Sequence, residues 1–168
     1  MPAIPPVGSD NFQKPLFDRV MNSDNDIAII ALSDCNAVKM VPGTNYTTIE
    51  EVAKFYSVRD EYLRSLLYRN GISNTQTPGD YIRISPNGFM KNFDIRVTDA
   101  RINPDDCRLL DVRQEGYSIS VNRQGVLHLL SARTVLATAI LIAQSKYGCK
   151  SKNALAVMNY LATSGFST

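Results

Sequence analysis

One histidine, three scattered cysteines and nine glycines that stand singly leave this 168-residue chain short of the parts from which most active sites are built. A zinc site needs three or four ligands. Here Cys35, Cys107 and Cys149 lie far apart with no CxxC spacing, and His128 has no second histidine to share a metal. Free thiols in a reducing compartment are the expected state. None of the glycines falls into GxGxxG or GxxxxGK spacing, so no phosphate loop is expected. His128 lies in the run Val126-Leu127-His128-Leu129-Leu130, with apolar residues on both sides, and reads as a core or sheet-edge histidine rather than a general base. Asp105-Asp106 follows Asn103-Pro104 and reads as turn chemistry, because adjacent carboxylates often point apart. Catalysis needs a nucleophile, an acid–base pair or a metal in a fixed arrangement. No catalytic centre and no cofactor are expected.

Long apolar runs are missing too. The apolar uncharged stretch from Thr134 to Ser145 is too short to cross a bilayer as a helix. The opening MPAIPPVGSDNFQKP carries prolines at 2, 5, 6 and 15 and no apolar core, so it is neither a signal peptide nor an anchor. A soluble, cytoplasmic protein is expected. Its net charge is only +2, from 18 basic and 16 acidic residues, which gives no composition-level support for a nucleic-acid partner. What is present is ordinary globular material, 44% hydrophobic and 20% charged. A chain of this size buries roughly two-thirds or more of its unfolded surface and folds without metal or disulfide.

The patterning predicts an α+β fold. Residues 1–25 read as a poorly ordered arm, with a short helix near Phe12 to Met21 as an alternative, and 26–168 as a single domain. Asp26 to Leu32 (DIAIIAL) reads as a buried strand, followed by an extended Ala37 to Val41 before Pro42-Gly43. Thr47 and Glu50 have capping-box spacing and open an amphipathic helix with Ile49, Val52, Ala53 and Tyr56 on one face. A second helix from Asp60 to Arg69 buries Leu63, Leu66 and Leu67 and ends at Gly71, where a left-handed cap is expected. Residues 80–130 then alternate in short runs (Tyr81–Ile84, Phe93–Val97, Leu109–Val112, Tyr117–Val121, Val126–Leu130) between turn clusters, the pattern of a small antiparallel sheet. Asn122 to Gly125 is the best hairpin turn. Ser131 caps an apolar core helix from Ala132 to Tyr147, and a last helix runs from Ser151 to Ala162, so the C-terminal helices occupy about 132–162.

The stretch 47–71 is a helix-turn-helix by pattern: two short amphipathic helices joined by a turn of about three residues. In that motif the second helix enters the major groove. The face opposite its leucines carries Glu61, Arg64, Ser65 and Tyr68, with Arg69 at the margin and Arg59 in the turn. Arg64 suits a bidentate contact to guanine, and Arg59 and Arg69 suit phosphates. Against this, two packed amphipathic helices are a common core device, and Asp60 and Glu61 place negative charge at the helix entry, where it suits the dipole and repels phosphate.

The run T-x-x-E-V-A-x-F-Y-x-V, followed by L-R-x-L and a closing R-x-G, resembles the helix-turn-helix of excisionase-like and MerR-like regulators. With Arg133, Val135-Leu136 and Leu141 further on, the chain resembles a family of prophage-encoded regulatory, antirepressor-like proteins. The likeness covers roughly Val38 to Gly71 and Leu130 to Leu161; the arginine-rich and acidic stretch of that family is not recognisable. It implies a phage-type transcriptional regulator that binds double-stranded DNA as a homodimer, with the C-terminal helices as a candidate dimer interface. The alternative is an antirepressor or anti-defence protein that occupies a protein partner through Tyr62, Tyr68 and Phe89, with the helix-turn-helix as scaffold.

Overall fold

The computed structural model describes residues 10–41, 43–92, 109–114, 117–122, 126–145 and 150–164. Its elements are α1 (Asp10–Met21), α2 (Asn25–Asp34), β1 (Tyr46–Thr48), α3 (Ile49–Tyr56), α4 (Asp60–Arg69), β2 (Tyr81–Ile84), α5 (Pro86–Asn92), β3 (Leu109–Gln114), β4 (Tyr117–Asn122), β5 (Leu127–Ser131), α6 (Ala132–Gln144) and α7 (Lys152–Thr163). The fold class is α+β, as the patterning predicts.

α6 is the centre. Apart from Arg133, its residues from Ala132 to Ala143 are all buried, and α1, α2, α4 and α7 pack around it. Such an all-round apolar helix has no solvent face to offer. Its apolar surface is therefore covered within the chain, which leaves little of it for the dimer contact expected there. No helix among the described residues is long and apolar enough to cross a membrane.

Two expectations near the N-terminus are corrected. Residues 10–21 are not a poorly ordered arm but the helix that was the alternative reading near Phe12 to Met21: α1 buries Leu16 and Val20 in the core, despite Pro15 within it. DIAIIAL is not a strand but the body of α2. A short apolar run fits either period, and here Ala28, Ala31 and Leu32, spaced i, i+3, i+4, form the buried stripe. Ile27 and Ile30 remain on the outside. Ala37 to Val41 carries no strand either. Beyond it, Gly43 takes φ +78° while Thr44 N–H donates to the Val41 carbonyl.

The capping register of α3 is one residue later than Thr47/Glu50. Thr47 is paired in β1 with Leu130, and Thr48 is the cap, its hydroxyl accepting from Glu51 N–H at 3.4 Å. The three-stranded antiparallel sheet has the order β1-β5-β2. β5 therefore lies between two strands rather than in a hairpin with β4, which pairs with β3 instead. The reason is burial: Leu127, Leu129, Leu130 and Ser131 are all covered, which suits a central strand flanked on both edges. The turn at 123–125, the run Phe93–Val97, the expected end of the core helix at Tyr147, and Cys107 and Cys149 lie outside the described residues.

α7 is locked to the helix pair through its first residues. The Ser151 hydroxyl accepts from Ala154 N–H at 3.2 Å and donates to the Tyr56 carbonyl at 2.7 Å. Asn153 Nδ2 donates to the Phe55 carbonyl at 2.7 Å. One hydroxyl thus satisfies an orphan donor of α7 and an orphan acceptor at the end of α3. Ser151→Ala is expected to cost about 2 kcal/mol, a lost cap plus a buried carbonyl left short of a partner. Urea unfolding of the variant beside wild type measures it; a loss under about 0.5 kcal/mol would show that water replaces the hydroxyl.

Candidate functional site

The surface of interest starts from three leucines. Leu63, Leu66 and Leu67 are buried, and this turns the opposite face of α4 outward. Arg59, Glu61, Ser65, Tyr68 and Arg69 are exposed, and Arg64 is half-buried. Tyr68 stands out at 68% exposure, large for an aromatic ring. Arg69 Nε donates back to the Ser65 carbonyl at 3.4 Å, holding that guanidinium along the helix. Arg59 is the N-cap residue of α4 but makes no side-chain cap bond, so its guanidinium is not committed to the helix terminus. Of the six positions singled out from the sequence, Glu61, Arg64, Ser65, Tyr68 and Arg69 lie on the side of α4 away from its leucines, with Arg64 half-buried at the inner edge, and Arg59 stands exposed at the start of the helix.

Arg64 leads into a groove that the sequence did not reveal. A hollow of about 390 Å³ runs from α4 to the sheet, lined by Arg64, Ser65 and Tyr68, by Ser73 and Asn74 of the connecting turn, by Tyr81 and Arg83 of β2, and by His128 of β5. Strand register builds this wall: Arg83 lies directly opposite His128. His128 is not a sheet-edge residue but half-buried on the central strand. Its Nδ1 is 2.6 Å from the Tyr81 hydroxyl, and the two rings meet edge to face at 5.7 Å.

The turn leading to β2 is fixed by its own bonds. The Ser73 hydroxyl accepts from Gln76 N–H at 3.1 Å, and Thr77 N–H donates to the Ser73 carbonyl at 2.8 Å. Asp80 anchors its end. Arg133 Nε donates to Asp80 Oδ1 at 2.8 Å, Arg133 Nη2 to Oδ2 at 3.2 Å, and the Ser131 hydroxyl to Oδ1 at 2.7 Å. The same guanidinium reaches the Ser23 carbonyl at 3.2 Å between α1 and α2. A bidentate arginine–carboxylate pair fixes direction as well as distance, so β2 is held in place from the far side of the sheet.

Electrostatically the groove is basic. Burial holds the His128 imidazole below its ordinary value, and Arg64 and Arg83 push it the same way. Burial raises the Tyr81 hydroxyl, with Arg64 and Arg83 opposing and Glu50 adding to the rise. Glu50 is the carboxylate felt by both Arg64 and Tyr81. A larger hollow of about 480 Å³ lies between α2 and residues 36–44, where Lys39 is the only charged group among the described lining residues. It lacks convergent polar chemistry.

Two of the three aromatics considered for a protein interface are occupied elsewhere. Phe89 is fully buried, and the Tyr62 hydroxyl is hydrogen-bonded to the Ser145 hydroxyl. Tyr68 alone of the three is exposed. Among the described residues, no three His, Cys, Asp or Glu side chains gather as a metal site. Compared with known proteins, the chain matches no family, no curated protein and no solved structure.

Proposed function

We propose that this chain is a DNA-binding regulator of the phage or prophage type, which lays the outer face of α4 against a major groove. The observation that carries this reading is the open, arginine- and tyrosine-bearing side of α4, turned outward by its three buried leucines. A recognition helix needs such a ridge, free of overlying structure, to reach base edges. The sheet supports the reading as well. β1 precedes the helix pair and β2 and β5 follow it, so strands of one sheet brace the pair at both ends. Tyr68 then faces bases or sugars, while Arg59, Arg69 and, from the inner edge of the face, Arg64 hold phosphates. Binding as a homodimer supplies the second half-site that one short helix needs for useful affinity.

Asp60 and Glu61, at the start of α4, favour a protein partner instead, and Tyr68 suits an interface anchor. A salt series separates the two readings. Affinity for a duplex should fall linearly in logarithmic coordinates with salt, each phosphate contact adding about −0.9 to the slope. Arg64→Glu with Arg69→Glu should weaken binding roughly 10- to 100-fold and flatten that slope. Absence of any duplex binding at low salt rejects the DNA reading and leaves a protein partner for the Tyr68 face.

A further inference from the structure

Three basic side chains from three separate elements meet in the groove beside α4: Arg64, Arg83 and His128. Arg83 and His128 are cross-strand partners, so a second proton on His128 sets two like charges directly opposite, which destabilises a sheet. The fold answers another arginine, Arg133, with a bidentate carboxylate. It does not do so here: neither Arg64 nor Arg83 has a hydrogen bond or an ion pair within 4.0 Å among the described residues. The groups facing His128 are Tyr81 and Arg83 from β2 and Arg64 from α4. On the other side of β5, β1 brings only Tyr46, Thr47 and Thr48. Glu50 of α3 acts on Arg64 and Tyr81 from beyond ion-pair distance. Repulsion of this kind is relieved when an anion enters.

We propose that this groove is a phosphate-binding pocket, in which Arg64, Arg83 and a doubly protonated His128 close on one phosphate group. The pocket stands on its own geometry. Only the source of the phosphate rests on the reading above: a backbone phosphate of duplex DNA lying beside α4, or a free phosphate compound. Tyr81 sets the ring for the task. In the tautomer that carries its proton on Nε2, the neutral imidazole accepts the Tyr81 hydroxyl proton at Nδ1 across the 2.6 Å contact. A second proton, taken from solvent as the anion binds, sits on Nδ1 and turns that contact round, so that the ring donates to the Tyr81 oxygen. Both ring nitrogens are then donors, and phosphate binding and proton uptake favour each other.

In the free protein, burial, with Arg64 and Arg83 beside it, holds the imidazole below the ordinary histidine value. The unfolded chain therefore takes the proton first, and stability is complete above that pH and falls as pH drops below it. Bound phosphate reverses the order and protects the fold in the same window.

His128 is the only histidine, so its ring proton is a single resolvable NMR signal. It should be titrated in the whole chain alone, with inorganic phosphate, with a short random-sequence duplex at low salt, and with sodium chloride at matched ionic strength. The midpoint is expected below the ordinary histidine value in the free protein. It should rise by about one pH unit or more with phosphate or duplex, and not with chloride. Arg83→Gln, an exposed position, should raise the free midpoint and remove the response, with the amide spectrum checking the fold. A rise with phosphate but not duplex keeps the pocket and counts against the DNA reading. A rise with duplex alone keeps the pocket and names its source. No rise with either, even where duplex binds, overturns the proposal, as does a full response in Arg83→Gln.

Discussion

Asp80→Ala is expected to lower the unfolding free energy by about 3 kcal/mol, although Asp80 touches nothing in the groove. Its carboxylate accepts two bonds from Arg133 and one from the Ser131 hydroxyl, and its side chain is only 10% exposed. Removing it strands a guanidinium that is itself mostly covered, and breaking a shielded pair from one side costs more than the pair was worth. The full cost seen for deeply buried pairs, about 3–5 kcal/mol, applies only at its lower end because Arg133 keeps 30% exposure. For a chain of this length the change corresponds to a fall in Tm of roughly 6–12 °C. Asp80→Asn retains acceptor geometry without the charge and should lose about half as much. Thermal and urea unfolding of both variants measure the series. If alanine and asparagine cost the same small amount, under about 1 kcal/mol, the clamp does not hold β2 and the account of the groove wall fails.

Leu67→Ala is expected to cost a further kind of stability, about 3 kcal/mol, through a cavity rather than a stranded charge. Leu67 is fully buried, and its carbonyl accepts from Asn70 N–H at 3.0 Å and Ile72 N–H at 2.9 Å where the helix closes. Gly71, at φ +80°, makes that closure possible. Loss of the side chain therefore loosens the end of α4 that presents Tyr68 and Arg69. Leu67→Met nearly conserves volume and should cost less than about 1.5 kcal/mol. Denaturant midpoints of the two variants give the comparison. A methionine variant as unstable as the alanine one would mean that shape, not filled volume, is what the site requires.

Helices with one stripe or one cap were legible from residues alone. α4 announces itself by Leu63, Leu66 and Leu67 with Gly71 after them, and α6 by Ser131 before an unbroken apolar run. The serine accepts from Thr134 N–H at 3.4 Å, as its position implies. α2 was not legible because two of its three isoleucines, Ile27 and Ile30, are on the solvent side while small Ala28 and Ala31 face the core. α1 was obscured by Pro15. The groove could not be read for a different reason. Arg64, Arg83 and His128 are brought together only by the pairing of β2 with β5, strands 42 residues apart between Ile84 and Leu127 that are not joined by a short turn. A helical or strand period reports which side of its own element a residue takes. It carries no information about the partner strand.

The sheet order also sets a timetable for synthesis. β1 and β2 never pair with each other; each pairs only with β5. On a ribosome adding about 5–20 residues per second, β1 waits some 4–17 seconds for the 83 residues from Thr48 to Ser131 to be made. Once Ile84 has been added, and until β5 is made, the α3–α4 hairpin has an unpaired strand on each flank and no α6 beneath it. Nascent chains halted short of Leu127 should therefore be the species that chaperones and proteases meet.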